Sequence, residues 1–151
     1  MKRKKILIDI LMLITMLISF ASGKLLVRAD GIMWWIVHIG FSIAFIILVV
    51  LHLSVNGRGW FEAGKNLFRG EKYKPVRGKY IVDWLLLIVW TVVSLSGFPA
   101  IGNKLGFESM FMLTKAFHSG FSTIGIILII VHICQHKKQI KAYICKREKQ
   151  A

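Results

Sequence analysis

Only two cysteines, Cys134 and Cys145, occur in 151 residues. They form no CxxC and no CxxCH, which sets aside covalent c-type haem attachment and a structural zinc site. Both lie at or after the end of the last apolar run, as expected for reduced, cytoplasmic and incidental thiols. Acid is scarce too: seven Asp and Glu stand against 21 Lys and Arg, a formal net charge of +14. There is no recognisable FAD or NAD motif, and no polar stretch long enough for a soluble domain to hold either nucleotide. A self-contained flavin or nicotinamide reductase is therefore disfavoured.

What is abundant is apolar, at 56% hydrophobic residues. High hydrophobicity and high charge coexist when the apolar residues sit in membrane spans and the charges in loops. Four runs approach the ~20 residues that cross a ~30 Å hydrocarbon core. They are Ile6 to about Ser22, Ile32 to Val55, Tyr80 to about Phe98, and Ser109 or Met110 to Gln135. Asp30 is the expected N-cap of the second, and Asn56–Gly57 its stop. Gly97 and Pro99 are expected to close the third. The first run, with its basic start and Ala21-Ser22-Gly23, also has the features of a signal peptide. Recurrence of its pattern in the third run, where cleavage makes no sense, argues against that.

The basic residues lie at chain ends and between runs, which is the positive-inside pattern and not a nucleic-acid face. Seventeen Lys and Arg fall in the N-terminus, the central loop 56–79 and the tail 136–151; four, Lys24, Arg28, Lys104 and Lys115, fall on the other side. Both termini and the central loop are expected in the cytoplasm, the chain being multi-pass in a bacterial-type plasma membrane. Trp60, Phe61, Leu67 and Phe68 among the loop's basic residues suggest a short interfacial helix on anionic lipid, or else a docking surface.

The chain repeats itself. Ile8-Asp9-Ile10-Leu11 matches Val82-Asp83-Trp84-Leu85, and Ser22-Gly23 matches Ser96-Gly97, both at an offset of 74. His38-Ile39-Gly40-Phe41-Ser42 matches His118-Ser119-Gly120-Phe121-Ser122, and His52-Leu53 matches His132-Ile133, both at an offset of 80. The unit is a two-helix hairpin, repeat 1 covering about 6–55 and repeat 2 about 80–135. The expected fold is an all-α integral membrane bundle of four transmembrane helices. Two hairpins entering in the same direction are naturally related by an axis along the membrane normal. That symmetry would set His38 opposite His118 at one depth and His52 opposite His132 at another.

Within each repeat the two histidines are 14 residues apart. At ~100° and ~1.5 Å per residue they share one helix face and differ by about 21 Å in height. Ionisable residues in a span are costly and mark function, and neutral imidazole suits haem iron. The expected cofactors are two b-type haems, ligated by His38 with His118 and by His52 with His132. Bis-histidine iron has no open site and serves electron transfer. Packing or proton-relay histidines are the competing reading, although one metal ion cannot span both depths.

His136 has Asn56 as its counterpart and is expected to be solvated, with ligand substitution or proton relay as alternatives. Gly23, Gly40, Gly97 and Gly120 would either make room for haem or serve helix packing and capping. Arg28, Lys104 and Lys115 on the outer side, and Arg58 and Lys137 on the inner, are candidates to pair with propionates. Asp9 and Asp83 complement the helix dipole; proton handling near an inner haem is the sharper alternative.

The paired histidines 14 residues apart on two helices resemble those of the two-haem cytochromes b, including cytochrome b of the respiratory bc complexes and the membrane subunits of hydrogenases and formate dehydrogenases. The whole chain is similar to a bacterial family of small four-helix membrane proteins associated with FMN-binding domains, through Asp9 near the start of the first helix, Ser22-Gly23 at its end and the histidine pair His38 and His52 in the second. That resemblance implies electron transfer to an extracytoplasmic FMN-binding protein, here expected as a separate partner. A quinone is a second candidate cofactor or donor. Two alternatives stay open: a quinone- or ferric-reductase-like subunit with chemistry at a haem edge, and a non-haem membrane sensor or assembly protein. As a carrier the chain would be a subunit of an oxidoreductase and not an enzyme alone.

Overall fold

The computed structural model describes residues 2–29, 31–66, 77–104 and 111–148. It holds four helices: α1 (Lys2–Arg28), α2 (Ile32–Asn66), α3 (Arg77–Lys104) and α4 (Phe111–Glu148). Each contains a stretch long and apolar enough to cross a membrane: Lys4–Arg28, Ile32–Asn56, Gly78–Pro99 and Lys115–Lys137. The protein is thus an all-α, multi-pass membrane protein with a lipid environment. Many large apolar side chains are exposed along these stretches, Ile36, Val50, Ile88 and Ile127 among them, as lipid-facing helices require.

The helices outrun the apolar runs. α1 continues through Gly23 to Arg28, and α3 passes Gly97 and Pro99 to reach Lys104. Neither glycine ends its helix, and Pro99 costs the helix only one backbone N–H near its last turns. α2 continues past Asn56 and Gly57 to Asn66, so Trp60 and Phe61 extend a transmembrane helix and do not form a separate interfacial one. Leu67, Phe68, Asp30, Ser109 and Met110 lie outside the described residues. α4 runs on from Gln135 through the basic tail to Glu148.

Two compact units divide the chain, residues 1–65 and 66–151. In the first, α1 and α2 form a hairpin joined by a hydrogen bond of 2.6 Å between the Ser19 and Ser42 hydroxyls. Such a bond contributes on the order of 0.6 kcal/mol in a membrane. Met16, Phe45, Thr15 and Ser22 are its buried side chains. The Thr15 hydroxyl donates back to the Leu11 carbonyl at 2.9 Å, which makes its burial tolerable.

The second unit pairs α3 with α4 around Val82, Val89 and Val93. Val89 stands where the first repeat has Thr15, and Val93 where it has Ser19. The large side chain has changed sides. Hairpin one sets Phe45 on its second helix and Met16 on its first; hairpin two has Gly125 and Trp90 at the matching positions. A Cβ on Gly125 would come within 3.1 Å of the Trp90 ring, so the ring occupies the space that glycine leaves.

Candidate functional site

The four histidines of the repeat are each fixed through Nδ1 by the neighbouring helix of their own hairpin. In hairpin one, His38 Nδ1 lies 2.8 Å from the Ser19 carbonyl oxygen, and His52 Nδ1 lies 2.7 Å from Asp9 Oδ1. In hairpin two, His118 Nδ1 lies 2.9 Å from the Val93 carbonyl oxygen, and His132 Nδ1 lies 2.7 Å from Asp83 Oδ1. Ser19 and Val93 differ by 74 residues, as do Asp9 and Asp83. The duplication therefore preserves complete interactions, including the acceptor atom used at each end.

The acceptors set the tautomer. A backbone carbonyl has no proton to give, so His38 and His118 carry a proton on Nδ1, which leaves Nε2 as the ligand atom of the neutral ring. A carboxylate imposes the same state on His52 and His132. A fixed ring with a protonated Nδ1 and a basic Nε2 is the arrangement that metal-ligating histidines use.

A glycine lies beside each of the two carbonyl ends. In an α-helix the carbonyl of residue 19 accepts the N–H of residue 23, and that of 93 the N–H of 97. Both i+4 positions are glycine. A Cβ at Gly23 would lie 3.0 Å from His38 Cε1, and one at Gly97 would lie 3.4 Å from His118 Cε1. At Gly23 the missing side chain is what lets the His38 imidazole lie over the helix and reach its carbonyl, whereas at Gly97 a methyl would sit in ordinary contact with His118. The same carbonyls accept the hydroxyls of Ser22 (2.9 Å) and Ser96 (3.0 Å). The Ser-Gly pair is thus part of the histidine's seat and not a helix end. A Cβ at Gly40 or Gly120 would meet nothing within 4 Å among the described residues, so packing inside the hairpins does not use these two.

Asp9 and Asp83 lie beyond the first turns of α1 and α3, so they are not the dipole complements the sequence suggests; each instead holds a histidine, His52 and His132. Lys5, one turn before Asp9, reaches across to the Val55 carbonyl (3.3 Å) and to Asn56 Oδ1 (3.1 Å). The Asn56 amide in turn donates to the His52 carbonyl at 3.1 Å. In hairpin two His136 replaces Asn56. It is half-buried, its ring 4.6 Å from that of His132, and not a solvated surface side chain. Residues i and i+4 share a helix face, which brings the rings together. Asp83, His132 and His136 have one ligand atom each within 4.8 Å of one another, a grouping able to hold a metal ion.

The candidate propionate partners are scattered. Arg28, Lys115 and Lys137 are exposed, while the side chains of Lys104 and Arg58 fall outside those described. Lys24 lies over the Phe20 ring, 5.4 Å from its centroid. Cys134 is an exposed free thiol.

No family model matches the chain, and no solved structure matches it. It is similar to cruxrhodopsin-3 of Haloarcula vallismortis, 29% identical over 130 residues that cover 83% of this chain and 48% of that protein. The chain spans about half the length of this relative. Apolar spans draw on a short list of residue types, and the likeness accords with a multi-pass membrane protein built of helices.

Proposed function

We propose that this protein carries electrons across a membrane through two bis-histidine b-type haems, one held by His38 and His118 and the other by His52 and His132. One observation carries the reading: all four histidines are pinned through Nδ1, in two pairs whose acceptors repeat with the sequence. Packing histidines need no common tautomer, whereas axial ligands do. Each hairpin supplies one ligand per haem, as a duplication of an even number of helices allows. Haem would supply one-electron chemistry; His38, His118, His52 and His132 would hold it, with their rings fixed through Nδ1.

The loop charges orient the His52–His132 end toward the cytoplasm. The donor is then a quinol or a cytoplasmic reductant, and the acceptor an extracytoplasmic partner such as a flavoprotein. A second reading rests on Asp83, His132 and His136, which form a two-histidine, one-carboxylate set for a non-haem divalent metal. Against it, His136 has only Asn56 as its counterpart, whereas every histidine bond of the haem reading is duplicated.

Single histidine variants test the proposal. His38→Ala and His52→Ala each lose one haem of two in the reduced-minus-oxidised spectrum. Loss of neither, or a metal retained without haem, overturns it.

A further inference from the structure

The two ends of each hairpin hold their histidines with different chemistry. At one end the Nδ1 acceptor is a neutral carbonyl, at 2.8 Å for His38 and 2.9 Å for His118. That oxygen is shared, since Ser22 and Ser96 also donate to the same two carbonyls. At the other end the acceptor is a carboxylate oxygen at 2.7 Å, for His52 and His132 alike. The division falls at matched positions of the two repeats, so the two ligands proposed for one haem carry the same kind of Nδ1 partner.

We infer that Asp9 and Asp83 set the His52–His132 site at a lower reduction potential than the His38–His118 site. The inference rests on the two-haem reading. A carboxylate draws the Nδ1 proton more strongly than a carbonyl does, which makes the ring a more basic ligand through Nε2. A more basic ligand favours ferric over ferrous iron. The negative charge beside the ring acts in the same direction, because it stabilises the iron state with one more positive charge, and a low-dielectric surrounding strengthens the effect. On the two-haem reading Asp9 and Asp83 both act on the His52–His132 site, so their effects add. In the first hairpin the Lys5 ammonium is engaged by the Val55 carbonyl and the Asn56 side chain. Asp9 keeps its short bond to His52 beside it.

The ordering makes transfer downhill from the aspartate end to the glycine end. With haem bound, an electron supplied at the His52–His132 end would pass to the His38–His118 end. No proton or bond changes hands in that step. The source is a quinol or cytoplasmic reductant at the aspartate end, and the sink an oxidised acceptor at the other. Asp9 and Asp83 are positioning residues that also tune potential, and the aspartate end is the electron entry.

Potentiometric titration of the purified holoprotein, followed by haem absorbance, tests this. The wild type should show two one-electron waves. His38→Ala and His52→Ala, each retaining one haem, assign them: the lower wave survives in His38→Ala and the upper in His52→Ala. Asp9→Asn with Asp83→Asn keeps an oxygen acceptor for Nδ1 and removes only the charge. It should raise the lower wave toward the upper one and leave the upper wave in place. If the double variant does not accumulate, each single variant should raise the lower wave by a smaller step. Coincident waves, the opposite assignment, or a lower wave unmoved by the aspartate variants overturns the inference while haem content still supports the two-haem reading. Folded protein without haem overturns the two together.

Discussion

His132 donates from Nδ1 to Asp83 Oδ1 at 2.7 Å, the same length as the bond from His52 to Asp9 in the other hairpin. Each bond joins the two helices of its own hairpin. It fixes the ring's rotation and its tautomer at once. Replacing Asp83 by Leu removes both controls. The expected outcome is weaker haem binding at the His52–His132 site, by about 10- to 100-fold for a lost partner of this type. Haem titration of the haem-depleted protein measures it; Asp83→Asn, which keeps an acceptor, should bind much more tightly than Asp83→Leu.

Gly23 and Gly97 differ in how much room they leave. An added methyl at position 23 would press on His38 Cε1 at 3.0 Å, whereas at position 97 it would meet His118 Cε1 at 3.4 Å. Alanine also favours a helix interior over glycine by about 1 kcal/mol. Gly97→Ala should therefore be neutral or stabilising by thermal denaturation. Gly23→Ala should push His38 off its carbonyl and change the low-spin haem signal in electron paramagnetic resonance. Equal behaviour of the two variants would contradict this account of the glycines.

The exchanged packing of the hairpins is open to a double-mutant cycle. Gly125→Phe alone collides with Trp90, already 3.1 Å from the Cβ position, and should destabilise by about 1–3 kcal/mol. Trp90→Met alone leaves a cavity. Combined, they recreate the Met16 and Phe45 arrangement of the first hairpin, and much of the loss should be recovered. Additive losses in denaturant unfolding would show that the two repeats do not pack equivalently.

The proposed orientation rests on the loop charges. Cysteine placed at Lys24 should react with a membrane-impermeant maleimide added outside intact cells, and cysteine placed at Lys137 only after permeabilisation. The reverse pattern would move the aspartate end to the outer face.

Much of this was legible in the residues. Periodic apolar runs located the four spans, and the two offsets located the repeat and its four histidines. Helix ends were less legible, because Gly23, Gly97 and Pro99 read as stops when a span is judged by local propensity. In the structure both glycines sit inside a helix, where each leaves space for an imidazole. The Ser19 and Val93 carbonyls had no signature at all, since every residue has one; the glycine four positions later was the available signal. Asp9 and Asp83 read as dipole complements, because contact between helices is not visible from position along one helix. His136 read as solvated because the apolar run ends before it, yet the helix continues and carries it onto His132.

Haem stoichiometry is the measurement that bears most directly on the central claim. Detergent-purified protein from haem-replete cells, assayed by pyridine haemochrome against total protein, should contain about two b haems per chain, with the low-spin spectrum of bis-histidine iron. Folded protein that contains none would contradict the claim and leave the four pinned imidazoles as helix-linking residues.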